Sequence, residues 1–204
     1  MEAIFAPINI IKKIQGLNKN CVIILGNEPV VSNHIKSDIK TYSDLNNIEY
    51  KSLRFDSSNK LDQIRPLFEN TSLFSNQTIF NISIASGRIL EETKKFIVKV
   101  ISEHNDDLFI IHFENFTKEL TKSAWFTKIK ESSIQLEAKE PSTQQLQEAI
   151  SARANFYNLS LDEESLSLLS NLSLGNLLVA ENEIIKLSLL GIKTDIDVKK
   201  LISH

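Results

Sequence analysis

Cys21-Val22-Ile23-Ile24-Leu25-Gly26-Asn27-Glu28-Pro29 is the stretch from which the fold can be read. Five consecutive apolar residues suit a strand buried on both faces of a parallel sheet, and Gly26 ends it. Pro29 stands where a helix can begin, and Val30, Val31, His34, Ile35, Asp38 and Ile39 follow at roughly helical spacing. Tyr50, Leu53 and Phe55 lead to a second strand that stops at the turn residues Asp56-Ser57-Ser58-Asn59. Leu61, Ile64, Leu67 and Phe68 make a helical face. Ile79, Phe80, Ile82 and Ile84 form a third strand, and Phe96, Ile97, Val100 and Ile101 lie on the next helix. Leu108 to Phe113 is a fourth buried strand, Trp125, Phe126 and Ile129 mark a helix with Trp125 in the core, and Ile134 and Leu136 alternate as a fifth strand. Strands separated by helices imply parallel pairing with helices on both faces, so the expected class is α/β with a five-stranded parallel sheet.

Near Pro141 the pattern changes. Ser142-Thr-Gln-Gln145 reads as a capping box, and Ser160-Leu-Asp-Glu163 repeats it. Gly175 separates a helix bearing Leu166, Leu169 and Leu172 from one bearing Leu177, Ala180, Ile184 and Leu187, while Thr194 and Asp195 can cap a last short helix. The expected organisation is an α/β domain over residues 1–140 and a small all-helical domain over 141–204.

Composition narrows the function classes. Hydrophobic residues make up 42% and charged residues 24%, enough for a sizeable core. No apolar run approaches the roughly 18 residues of a membrane span, and the opening MEAIFAPINIIKK lacks the layout of a secretory signal. Cys21 is the single cysteine, which excludes an internal disulfide and fits a reducing, cytoplasmic setting. Net charge is −3 and the pI is near 5.9. A chain that grips phosphates by itself usually carries a basic excess, so DNA is expected as a partner only within an assembled complex.

An α/β domain followed by a helical lid is the layout of the AAA+ ATPases, and four segments narrow the likeness. Ile24-Leu-Gly-Asn-Glu-Pro29, Thr71-Ser-Leu-Phe-Ser-Asn-Gln77, Lys118-Glu-Leu-Thr-Lys-Ser-Ala-Trp-Phe126 and Leu174-Gly-Asn-Leu-Leu-Val-Ala-Glu-Asn-Glu-Ile-Ile-Lys-Leu-Ser-Leu-Leu190 resemble, in order and spacing, segments of the delta subunits of the bacterial DNA polymerase III clamp loader. The resemblance covers nearly the whole chain. It implies a non-catalytic member of a DNA-directed DNA polymerase holoenzyme, with the beta sliding clamp as partner. It also implies a third, collar domain that joins the delta prime and tau/gamma subunits; this chain stops at His204 with nothing corresponding to it.

Two departures from an active ATPase agree with this. A nucleotide-binding P-loop needs G-x-x-x-x-G-K-[ST] after the first strand, so that backbone amides and a Lys cradle the phosphates. Here Gly26-Asn-Glu-Pro-Val-Val-Ser-Asn-His34 offers no second Gly and no Lys, and Glu28 would repel a triphosphate. The Arg that active AAA+ lids carry three residues after their Gly is replaced by Leu178. No nucleotide or other cofactor is expected, and no catalytic residue is assigned.

Leu73 and Phe74 stand out among polar neighbours, with Glu69 to Ser72 before them and Ser75 to Gln77 after. Two large apolar residues on such a connection are candidates for an exposed anchor. The rival reading tucks both into the domain's own core, and spacing does not choose between them. The resemblance makes them a wedge for the clamp's apolar pocket, with Thr71 and Ser72 positioning it; delta subunits often carry a larger apolar residue in place of Thr71, which implies a slimmer anchor. Lys118, Lys122, Lys128 and Lys130, interleaved with Glu119 and Glu131, read as a solvated face, and Lys94, Lys95 and Lys99 with Glu91 and Glu92 as another. His34, His104, His112 and His204 lack metal-ligand spacing, so no metal is assigned. Asp106-Asp107 reads as a turn. A degenerate ATPase that still holds nucleotide, and an adaptor that does not bind the clamp, remain open as alternatives.

Overall fold

The computed structural model describes residues 2–3, 7–55, 61–69, 77–85 and 89–191, with backbone alone at 2–3, 63–64 and 69. In chain order the elements are β1 (Glu2–Ala3), α1 (Ile10–Leu17), β2 (Cys21–Leu25), α2 (Pro29–Leu45), β3 (Glu49–Phe55), α3 (Leu61–Glu69), β4 (Thr78–Ile84), α4 (Glu91–Glu103), β5 (Leu108–Phe113), α5 (Lys118–Lys122), α6 (Ala124–Glu131), β6 (Ser133–Glu137), α7 (Thr143–Phe156), α8 (Glu163–Leu172) and α9 (Leu177–Leu189). The five expected strands β2 to β6 form a parallel sheet flanked by helices. A sixth, the two-residue β1, pairs with β6 at one edge, giving the order β1-β6-β2-β5-β4-β3. A two-residue strand carries no alternation, so periodicity could not foretell it.

Two compact units result. The first takes in residues 9–27 and 32–138, the second residues 28–31 and 139 onward. In the first, β2 and β5 are buried at every position because the sheet is covered on both faces. Phe68, Phe80 and Phe109 stack in sequence across one face, with centroids 4.6 and 5.4 Å apart, beside Ile97, Val100, Ile101, Phe126 and Ile129. Cys21 lies fully buried in this core, and burial pushes its thiol pKa up. Two expectations shift here. Leu67 points to solvent while Phe68 carries the apolar contact of α3. Trp125 is half-buried, against the edge of the core near Phe113, where the smaller Phe126 goes inside. Asp106 and Asp107 lie in the expected turn, and the Asp107 carboxylate accepts from the Thr78 amide at 2.7 Å and meets His104 Nδ1 at 3.0 Å.

The second unit packs α7, α8 and α9 around Leu146, Ile150, Leu169, Leu177, Ala180, Ile184 and Leu187. The Ser142 amide donates to Gln145 Oε1 at 3.1 Å, as the capping box requires. The Ser160 box does not form. The chain stays extended two residues longer, and Asp162 caps α8 by accepting from the Ser165 amide at 2.7 Å. A carboxylate there also complements the positive helix start, which a hydroxyl cannot do. Leu172, expected on the apolar face, lies exposed at the end of α8. Residues 194 and 195 lie outside the described residues.

Candidate functional site

In a parallel α/β sheet the carboxyl ends of the strands and the following helix start are where ligands bind. Here that place is the turn from β2 into α2, and the chain's own groups fill it. Gly26 has φ 109°, a left-handed conformation, and its amide donates to the Phe113 carbonyl at 2.9 Å. A Cβ on Gly26 would sit 2.1 Å from the Ala138 carbonyl oxygen, because the Ala138 amide closes on Leu25 O at 2.7 Å. Backbone from β5 and from the end of β6 therefore holds the turn on both sides.

Glu28 is buried, and its Oε2 accepts from the Val31 amide at 2.7 Å. This places a carboxylate on the first free amides of α2, the groups a P-loop offers to phosphate. Burial pushes the Glu28 carboxyl up; the Val31 and Val30 amides and the Arg153 charge draw it back, and Glu140 adds to the rise. An incoming triphosphate would have to displace a carboxylate already bonded to the helix. With no Lys and no second Gly in the loop, the residues present do not fit a nucleotide phosphate chain.

Beneath the turn sits a group that the sequence did not single out. His112 Nε2 lies 2.7 Å from the Gly26 carbonyl oxygen, and Lys36 Nζ lies 2.8 Å from His112 Nδ1. A carbonyl only accepts and an ammonium only donates, so the ring is neutral with its proton on Nε2. Burial lowers the His112 pKa, the Gly26 bond opposes this, Lys36 lowers it further and Glu114 opposes. Lys36 is itself lowered by burial, with Glu114 opposing and Arg54 adding to the fall. Arg54 Nη2 and Glu114 Oε2 are 3.3 Å apart. The partners stand 76 and 86 residues apart in the chain, so spacing offered no signal.

In the second unit Arg153 is almost wholly buried, with Nη1 3.4 Å from Glu181 Oε1, and the Tyr157 hydroxyl donates to the same oxygen at 3.0 Å. Leu178, at the position where active lids carry Arg, lies exposed in the first turn of α9. Thr71, Ser72, Leu73 and Phe74 lie outside the described residues, between α3 and β4. Lys118, Lys122, Lys128 and Lys130 are exposed, as are Glu119 and Glu131. Among the described residues no group of three or more His, Cys, Asp or Glu side chains could hold a metal ion. No helix among them is long and apolar enough to cross a membrane.

The solved structures with this fold set its class. Domain III of the Thermotoga maritima replication initiation protein DnaA superposes with a TM-score of 0.50 at 13% identity, over 95% of this chain and 87% of that one. The Thermotoga maritima RuvB Holliday junction branch migration motor does so at 0.51 and 10%, over 95% and 64%. The Bacillus subtilis DNA clamp loader delta protein gives 0.68 and 13%, over 95% and 60%. The protein has the AAA+-like α/β fold.

Sequence comparison points to a particular relative. The chain is 26% identical to the DNA polymerase III subunit delta of Escherichia coli K12 over 170 residues, 82% of this chain and 50% of that protein. It therefore spans about half the length of that relative. No family model matches the chain.

Proposed function

We propose that this chain serves as a delta subunit of the DNA polymerase III clamp loader, binding the beta sliding clamp and opening it for loading onto primed DNA. The likeness to the Escherichia coli subunit across 82% of the chain carries this reading. The occupied helix start at Glu28 supports it, since a subunit of this kind has no need to hold ATP. In this reading Leu73 and Phe74 enter an apolar pocket of the clamp, with Thr71 and Ser72 positioning them. Their burial contributes roughly 3–6 kcal/mol before ordering costs. A few kcal/mol of preference for the open ring is enough to shift its population. Motor subunits bind and hydrolyse ATP and control access to the wedge; this chain senses the nucleotide through them. It works in the cytoplasm, meets DNA only inside the complex, and joins delta prime and tau/gamma where a collar domain is present.

The test is a pull-down of the clamp without ATP, with the wild-type chain beside Leu73→Ala/Phe74→Ala. Wild type should retain the clamp and the double variant should lose it at least a hundredfold. Equal retention by both would remove the wedge assignment.

A further inference from the structure

Lys51 is a charged residue on an apolar face. On β3 it alternates onto the same side as Leu53 and Phe55, which pack in the core cluster with Phe68 of α3. In the sheet it stands opposite Phe80, and its side chain is only 17% exposed. The ammonium lies 5.7 Å from the Phe80 ring centroid and 3.5 Å from Glu49 Oε2, and it donates to the Leu67 carbonyl at 3.2 Å.

That carbonyl belongs to a helix end that needs outside help. α3 has nine residues, and Pro66 inside it removes the amide that would bond the Asp62 carbonyl. Leu67 lies in the last turn, whose carbonyls find no amide within the helix, and that turn carries no basic side chain of its own. Lys51 brings from β3 the cation that a helix end favours. Phe68 fixes the same turn from the apolar side, stacked on Phe80 at 4.6 Å and edge-on to Phe96 at 5.3 Å. A Met in place of Lys51 would cover Phe80 as well and would spare the desolvation of a charge. What the ammonium adds is a directional bond to one carbonyl, and from there the chain runs on to residues 70–76.

We propose that Lys51 is a positioning residue for clamp binding: it fixes the end of α3, and so the point from which the chain sets out towards Leu73 and Phe74. It touches no atom of the clamp. It acts by holding that starting point in one place, which leaves less ordering to be done on binding. This rests on the clamp-loader reading.

The test follows binding of the purified beta sliding clamp to the full chain in real time, for wild type, Lys51→Met and Lys51→Arg, with a urea midpoint for each. Lys51→Met should bind about tenfold more weakly, the share of molecules ready to bind having fallen to roughly a tenth. The loss should fall on the association rate. Dissociation rate and salt dependence should not change, because the contacts within the complex are the same. Lys51→Arg can still donate to the Leu67 carbonyl and should come within about threefold of wild type. All three urea midpoints should lie close together, since Met and Arg bury the same stem. Equal association rates for Lys51→Met and wild type overturn the proposal. Faster dissociation with a flatter salt dependence also overturns it, by putting Lys51 in contact with the clamp. So does a fall in urea midpoint that tracks the lost affinity, which would make Lys51 a merely structural residue. A wild-type chain that fails to retain the clamp strikes the clamp-loader reading and this proposal with it, whereas a wild type that binds beside an unaffected Lys51→Met strikes this proposal alone.

Discussion

His112 Nε2 and the carbonyl oxygen of Gly26 stand 2.7 Å apart, a bond that ties β5 to the turn where an ATPase of this fold would open its phosphate loop. Because burial and the Lys36 ammonium favour the neutral ring, the folded-state pKa of His112 lies below its ordinary 6.5. The unfolded chain then takes up the proton first as pH falls. The stabilisation is fully present above pH 6.5 and is lost as pH drops through the folded-state value. Urea unfolding of wild type and His112→Gln across this range should show a gap of roughly 1–3 kcal/mol at neutral pH. The gap should narrow in acid; one that widens in acid would contradict the assigned tautomer.

Gly26→Ala should be among the most damaging single changes to the first unit. The new methyl would meet the Ala138 carbonyl at 2.1 Å, against backbone that cannot swing aside as a side chain can. With the strain of φ 109° added, the loss should reach about 3 kcal/mol or more in urea unfolding.

Titration of the wild-type chain with a fluorescent ATP analogue should give no saturable binding. Glu28→Ala should cost about 1 kcal/mol through the lost helix cap and should not create ATP affinity, because the loop still lacks its Lys and second Gly. Saturable binding by wild type would favour the degenerate-ATPase alternative.

Arg153 and Glu181 form a buried ion pair in which Glu181 Oε2 has no hydrogen-bond partner among the described residues. Arg153→Met should cost about 3–5 kcal/mol by leaving the carboxylate unpaired. Adding Glu181→Met should recover much of the loss. A double-mutant cycle on urea midpoints measures the coupling; simple additivity would show that the pair contributes nothing as a pair.

The sheet was legible because its central strands are short and almost wholly apolar: Cys21 to Leu25, ended by Gly26, and Leu108 to Phe113 are too short for core helices and suit strands buried on both faces. The failed phosphate loop was legible too, since Glu28 and the missing Lys are matters of residue identity. Tertiary competition hid the rest. Asp162 displaced Ser160 as a cap because a carboxylate bonds the amide and complements the helix start together. Leu67 yielded the core to Phe68, which reaches Phe80 and Phe96. The His112–Lys36 contact joins a strand and a helix far apart in sequence, where no spacing encodes it. Leu73 and Phe74 rest on likeness to the delta subunits, and the clamp pull-down is their test.

The place of Cys21, sealed in the middle of the sheet as the chain's single thiol, has a practical side. Maleimides and mild oxidants will pass the native protein by, so a cysteine installed at an exposed position would be the one atom a probe can find. Dyes could then be attached site by site, and the movements of this protein followed by fluorescence without first mutating anything away.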